Sequence, residues 1–249
     1  MKALMTAGTM TLALLLAGCG DGASDGNATT TAGNAPIAAI PAPNGGDWAQ
    51  VVSETPDGGF LMGNPDAPVK VVEFASMTCG HCATFAEQGI PALTDKYIKT
   101  GQVSLELRNF VRDPADLAAS LLARCGGATP FFKLTDQIFG AQQEWIGKLQ
   151  QMTPAQQQQL QSATPAQAVG AMAEQAGLVD FVRLRGIPTE KAQACLADQA
   201  ALQKLVDMNQ KATSTYQIPG TPAFLINGEL VQNTADWATL EPKIREALD

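Results

Sequence analysis

Cys79-Gly80-His81-Cys82 places two sulfurs three residues apart, with the chain's one histidine between them. Such a pair can supply half of a metal site, close a small structural disulfide, or pass electrons by thiol–disulfide exchange. Zinc requires two further ligands at similar spacing. The remaining cysteines, Cys19, Cys125 and Cys195, stand singly and no second histidine exists, so no metal is expected. A structural Cys-x-x-Cys bridge closes a very small loop and removes little chain entropy. Electron transfer is the chemistry left, and it needs no cofactor. A strand that delivers the first cysteine to a helix start leaves Cys79 among unpaired N–H groups, where the helix dipole favours negative charge. That lowers the thiol pKa, and the thiolate is the attacking species. Cys79 is then the nucleophile and Cys82, shielded further along the helix, the resolving thiol. His81 can stabilise the Cys79 thiolate by charge or hydrogen bonding, which favours the reduced pair and makes its disulfide a stronger oxidant.

The flanking sequence supplies the elements this chemistry needs. VKVVEFAS (residues 69–76) is β-branched and almost continuously apolar, as a central strand should be. Glu73 interrupts it. If buried, Glu73 has a raised pKa and can exchange a proton with Cys82; otherwise it is a solvated strand carboxylate. After Cys79 the spacing turns helical: Phe85, Gly89, Leu93 and Tyr97 fall four apart on one face. Pro91 lies inside this pattern and should kink the helix. VSLELRNF (residues 103–110) alternates and forms the next strand, completing a β-α-β unit.

About ninety residues without a convincing strand follow, as short helices broken by Pro, Gly and Thr. The Gln run at 156–159 is expected on a solvated helix face. ALQKLVDMNQKATSTYQI (201–218) is a longer helix. PAFLINGELV (222–231) is a hairpin turning at Asn227-Gly228. The chain closes on an amphipathic helix through Trp237, Leu240, Ile244 and Leu248. The order β-α-β, helical block, α-β-β-α is a thioredoxin fold, α/β in class, with a helical insertion at about 112–200. In that fold a cis-proline loop packs against the two sulfurs, and Thr221-Pro222, just ahead of a strand, takes that place. Backbone groups of Thr221 can then receive an extended substrate segment as an added strand.

With these motifs together the sequence resembles the DsbA family of bacterial thiol–disulfide oxidoreductases, from about Asp47 to the C-terminus. Cys79-Gly80-His81-Cys82 matches the family's active site. Glu73, six residues before Cys79, matches the acidic residue the family buries beneath it, and Thr221-Pro222 matches the cis-proline pair. Two departures stand out. The best-known family members carry Pro-His between the cysteines, whereas Gly-His resembles the eukaryotic disulfide isomerases. Threonine before the cis-proline is also common in bacterial isomerases.

The N-terminus points to export. Lys2, the apolar run LALLLAG (12–18) and Leu16-Ala17-Gly18-Cys19 resemble a lipoprotein signal cut before Cys19, which would carry the lipid. Residues 1–18 are then the signal and 19–46 a tether of Gly, Ala, Asn, Thr and Pro with few large apolar side chains. Residues 47–249 form the DsbA-like domain. With Cys19 lipidated, Cys125 and Cys195 remain as a candidate structural disulfide in an oxidising compartment, two free buried thiols being the other reading. A net charge of -8 argues against nucleic acid.

The resulting expectation is a monomeric, lipid-anchored periplasmic oxidase. It would act on reduced or unfolded exported proteins and be reoxidised by a DsbB-type membrane partner. The same sulfurs could serve an isomerase or reductase kept reduced by a membrane electron donor. A chaperone or binding module on the same scaffold would make no use of the cysteines.

Overall fold

The structure, a computed structural model, describes residues 38–249. Cys19 and the leader before it lie outside those residues. The composition puts the start of order near Trp48; among the described residues, Ala38 and Ile40 already bond to the domain. Gln102 Nε2 donates to Ala38 O at 2.6 Å, Ile40 N–H to Thr100 O at 2.7 Å, and Trp48 Nε1 to Ile40 O at 2.7 Å. The last residues of the expected tether are thus captured by polar groups of the domain rather than by side chains of their own.

A hairpin comes first, β1 (Val52–Glu54) and β2 (Phe60–Gly63). The β-α-β unit follows as β3 (Val69–Ala75), α1 (Gly80–Lys96) and β4 (Val103–Asn109), with β3 and β4 parallel. The insertion holds α2 (Pro114–Arg124), α3 (Ala128–Gly140), α4 (Gln142–Gln150), α5 (Pro154–Gln161), α6 (Pro165–Gln175), α7 (Leu178–Arg183) and α8 (Thr189–Ala197). The chain ends with α9 (Gln199–Ser214), β5 (Ala223–Ile226), β6 (Glu229–Leu230) and α10 (Trp237–Leu248). The strands form one sheet in the order β1-β2-β4-β3-β5-β6. This is the thioredoxin arrangement with its helical insertion, extended at one edge by the β1–β2 hairpin.

The period-2 alternation of strand side chains divides the core. Val69 and Val71 of β3 and Val103 and Leu105 of β4 face α1 and α10, packing with Phe85, Leu93, Leu240 and Ile244. Val72 and Phe74 face the other way, against Ala212 of α9 and Ile218. A third cluster joins Ala75, Cys79 and Cys82 to the insertion through Leu121, Phe131 and Trp145. Glu73 shares the face of Val69 and Val71, so it points beneath α1. All seven residues of β4 are buried. Its alternating polar positions are not solvated: Arg108 is held by Glu106 (2.8 Å) and Asp57 (2.8 Å) and lies beside the rings of Phe74 and Tyr216.

Local sequence sets the helix ends. Asp113 caps α2 ahead of Pro114, and Thr153 and Thr164 cap α5 and α6 through reciprocal bonds with Gln156 and Gln167. α1 runs through Pro91 as one helix. Asn227 and Gly228 turn the β5–β6 hairpin with φ of 50° and 89°, the positive pair a type I′ turn requires. Cys125, at the end of α2, is disulfide-bonded to Cys195 of α8 with Cα atoms 5.7 Å apart. Neither can therefore join Cys79 and Cys82 on a metal. Among the described residues no helix is long and apolar enough to cross a membrane.

Candidate active site

β3 ends at Ala75 and four residues carry the chain to α1. Cys79 is the N-cap of that helix and its side chain makes no capping bond, so the sulfur stays free to react. Cys79 and Cys82 are both free thiols. Cys79 is 6 % exposed and Cys82 fully buried, so an incoming sulfur reaches Cys79 first.

Electrostatics separates the two thiols strongly. The Cys79 pKa is lowered to about 4. The largest cause is a hydrogen bond from the Cys82 thiol. The Thr221 side chain and the backbone N–H groups of Cys82 and His81 add to it, against the opposing effect of burial. The Cys82 thiol is driven far up, first by burial, then by its bond to Cys79 and by the charges of Glu73 and Cys79. A low-pKa nucleophile thus sits beside a thiol that keeps its proton. His81 contributes through its backbone N–H, while its side chain is exposed. This is narrower than the side-chain role its sequence position suggests, because the imidazole leaves the first turn toward solvent.

Thr221-Pro222 is a cis peptide bond, placed at the start of β5 against α1. The Cys79 thiol donates to the Thr221 carbonyl at 3.1 Å. The Thr221 hydroxyl is buried with no partner other than the Cys79 sulfur, whose pKa it helps lower.

Glu73 is fully buried, and neither carboxyl oxygen has a hydrogen-bond partner. It stands opposite Leu107 of β4 and Phe224 of β5, two residues after Pro222. Burial, followed by the charge of Cys79, raises its pKa to about 8. At neutral pH it is largely a neutral acid beneath the two sulfurs. Of the two readings open in the sequence, the structure takes the buried one.

Two further residues grip the loop ahead of Cys79, both from the insertion. Asp116 of α2, fully buried, accepts from Ser76 Oγ at 2.6 Å, Met77 N–H at 2.8 Å and Arg112 N–H at 3.1 Å. Its burial raises its pKa to about 6 despite those bonds. Gln142 of α4 is buried, and its Nε2 donates to Met77 O at 2.8 Å and Cys79 O at 3.0 Å. Sequence reasoning passed over both. Asp116 looks like an ordinary first-turn carboxylate, and Gln142 is one glutamine in a glutamine-rich stretch.

Comparison with known proteins identifies the fold and family. A family model described as thioredoxin matches residues 55–246. A solved protein-disulfide isomerase from Novosphingobium aromaticivorans is 36% identical with a TM-score of 0.73, and the match covers 76% of this chain and 96% of that one. The chain belongs to the DsbA family of thiol:disulfide oxidoreductases. A Rickettsia bellii relative, provisionally named a protein-disulfide oxidoreductase, is 29% identical over 70% of this chain. That match takes in 59% of the relative, so the chain spans about three fifths of the length of the curated relatives it matches. Wolbachia pipientis alpha-DsbA1 shares the DsbA fold at 21% identity and a TM-score of 0.62, over 79% of this chain and 93% of its own.

Proposed function

We propose that this chain is a protein thiol:disulfide oxidoreductase that donates its Cys79–Cys82 disulfide to reduced exported proteins. The observation that carries the reading is the placement of Cys79 at the N-cap of α1, its sulfur 3.1 Å from the Thr221 carbonyl, where the thiol pKa is lowered. A thiolate stabilised in the folded protein stabilises the reduced pair, so the disulfide is oxidising.

The steps follow from the placement of the groups. A substrate thiolate attacks Cys79, the reachable sulfur, and the Cys79–Cys82 bond breaks. Cys82 leaves as a thiolate with a high proton affinity, and Glu73 beneath it is the proton donor. A second substrate thiolate attacks the substrate sulfur of the mixed disulfide. Cys79 departs as a stable thiolate, a good leaving group, and the substrate gains a disulfide. The two electrons now reside on Cys79 and Cys82 as the dithiol. A DsbB-type membrane partner removes them. The Thr221 backbone beside the Cys79 sulfur receives the substrate chain as an extended segment.

Cys125–Cys195 is the structural disulfide of the insertion in this reading. The signal-like leader and Cys19 support a periplasmic location on a lipid anchor, and the reading takes the protein as a monomer.

A second reading, isomerase or reductase, has specific support. The dipeptide is Gly-His, Thr221 precedes the cis-proline, and the Novosphingobium relative carries the name disulfide isomerase. Incubating the oxidised protein with a reduced, unfolded exported protein separates the two. The oxidase forms substrate disulfides stoichiometrically in the absence of glutathione, and Cys79→Ser abolishes this. Activity seen only as reshuffling by the reduced protein supports the second reading.

A further inference from the structure

Besides its apolar packing on Cys79 and Cys82, the helical insertion hydrogen-bonds the loop of residues 76–79. The Met77 peptide groups are held from both sides there: the N–H by the Asp116 carboxylate at 2.8 Å and the carbonyl by the Gln142 amide at 2.8 Å. The same Gln142 nitrogen donates to the Cys79 carbonyl at 3.0 Å. One side chain thus fixes the chain just before the nucleophile and at the nucleophile itself.

We propose that Gln142 is a positioning residue for Cys79: its amide, carried by the insertion, sets the peptide planes through which α1 begins. The proposal concerns the thiol chemistry of the site and holds for either direction of electron flow.

The physical case rests on what stabilises the sulfur. The backbone N–H groups that help hold the Cys79 thiolate belong to His81 and Cys82, in the first turn of α1. The peptide bond that starts at the Cys79 carbonyl is the first of this turn, and fixing its plane limits how the next two peptides, which carry those N–H groups, can be oriented. That carbonyl also accepts the first helical bond, from Ala83 N–H at 3.1 Å. A misaligned donor loses much of its strength, and dipoles act on a charge only where they are held in place. Gln142 is suited to the task because its amide has two N–H bonds and no charge. A lysine would bring a cation into a buried position, and a carboxylate would repel both carbonyls. Asp116 complements it by accepting from the Met77 N–H and the Ser76 hydroxyl. Between them the two side chains hold the peptide bonds on either side of Met77.

The test compares Gln142→Met with Trp145→Phe. Met keeps the length of the side chain and removes both donors. Trp145 lies in the same helix, and Phe there loses a buried bond to Ile138 O, 3.0 Å in the native protein. It therefore weakens α4 while keeping the Gln142 side chain and both of its hydrogen bonds. The readout is the alkylation rate of Cys79 by iodoacetamide across pH 3–8 in the reduced protein, with thermal melting followed in parallel. Gln142→Met is expected to lower the alkylation rate near pH 5 about tenfold and shift its midpoint upward, since the thiolate is the reactive form. Trp145→Phe is expected to lower the melting temperature and leave the alkylation profile in place. If Gln142→Met fails to fold, Gln142→Glu replaces it and is expected to shift the profile the same way. An unchanged profile in the glutamine variants, or an equal shift in Trp145→Phe, overturns the proposal. A wild-type profile with an ordinary thiol midpoint would instead count against the oxidase reading above.

Discussion

The Cys79 sulfur lies 3.1 Å from the carbonyl oxygen of Thr221, although 142 residues separate them in the chain. This contact joins the two halves of the thioredoxin fold at the point where a substrate sulfur must arrive. The nucleophile and the backbone that would align its substrate therefore belong to one surface.

The neighbouring Thr221 hydroxyl gives the first prediction. It is buried, has no other partner, and helps lower the Cys79 pKa. Thr221→Val keeps the shape and the backbone while removing the hydroxyl. The Cys79 pKa is expected to rise, and the disulfide to become less oxidising. KM for a peptide substrate should hold while the rate of exchange falls, because the substrate-facing backbone is unchanged. Thiolate absorbance at 240 nm and steady-state kinetics check both parts.

Glu73 governs a proton. Glu73→Gln keeps the volume and removes the acid, so the step in which Cys82 leaves should slow by about a hundredfold, the lower range for general acid–base catalysis. Quenched-flow trapping of the mixed disulfide measures it directly. The step in which a substrate sulfur displaces Cys79 should be little affected.

The same carboxyl makes stability depend on pH. Unfolded, Glu73 releases its proton near its ordinary value of 4.5; folded, it does so near 8. Between those values the folded state holds the extra proton, so stability falls as pH rises, by at most about 1.4 kcal/mol per pH unit for one group. Asp116 acts in the same direction between 3.8 and about 6. Cys79 acts oppositely in the reduced protein: its stabilisation is complete above its ordinary value of 9.0 and is lost as pH falls through about 4. The oxidised protein has no Cys79 titration, so it isolates the carboxyls. In the oxidised form the Cys79 charge is gone and burial alone holds the Glu73 pKa up, so urea melts above about pH 6 should still show a downward slope that Glu73→Gln removes.

The Cys125–Cys195 bond spans 70 residues and ties α2 to α8. Replacing both cysteines by serine is expected to cost up to about 4 kcal/mol in the chain-entropy model. The alkylation rate of Cys79 should hold below the new melting transition, because the bond lies at the far end of α2 from Asp116. A large fall in Cys79 reactivity in the still-folded variant would show that the bond supports the site.

The site's sulfur chemistry was legible because it is local: Cys-x-x-Cys, a β-branched strand before it and a helical face after it all lie within thirty residues. Thr221-Pro222 became legible once the element order placed it beside the sulfurs. The remainder depends on contacts that no local pattern encodes. Glu73 is buried because α1 covers its face of the sheet, and the sequence also admitted a solvated glutamate. Asp116 and Gln142 act on residues 76–79 from 39 and 63–65 positions away. The β1–β2 hairpin did carry a local signal, the Asp57-Gly58 turn between two short apolar runs, but both strands are short. Order from Ala38 depends on the Trp48 indole and the Gln102 amide, which supply what the Ala- and Pro-rich segment lacks.

The most direct test of the central claim is the reduction potential of the Cys79–Cys82 pair, measured by equilibration with glutathione. An oxidase is expected to give about -120 to -180 mV, together with a Cys79 thiol that titrates near pH 4. A value near about -270 mV, in the range of thioredoxin, would contradict the oxidase reading and identify the chain as a reductant.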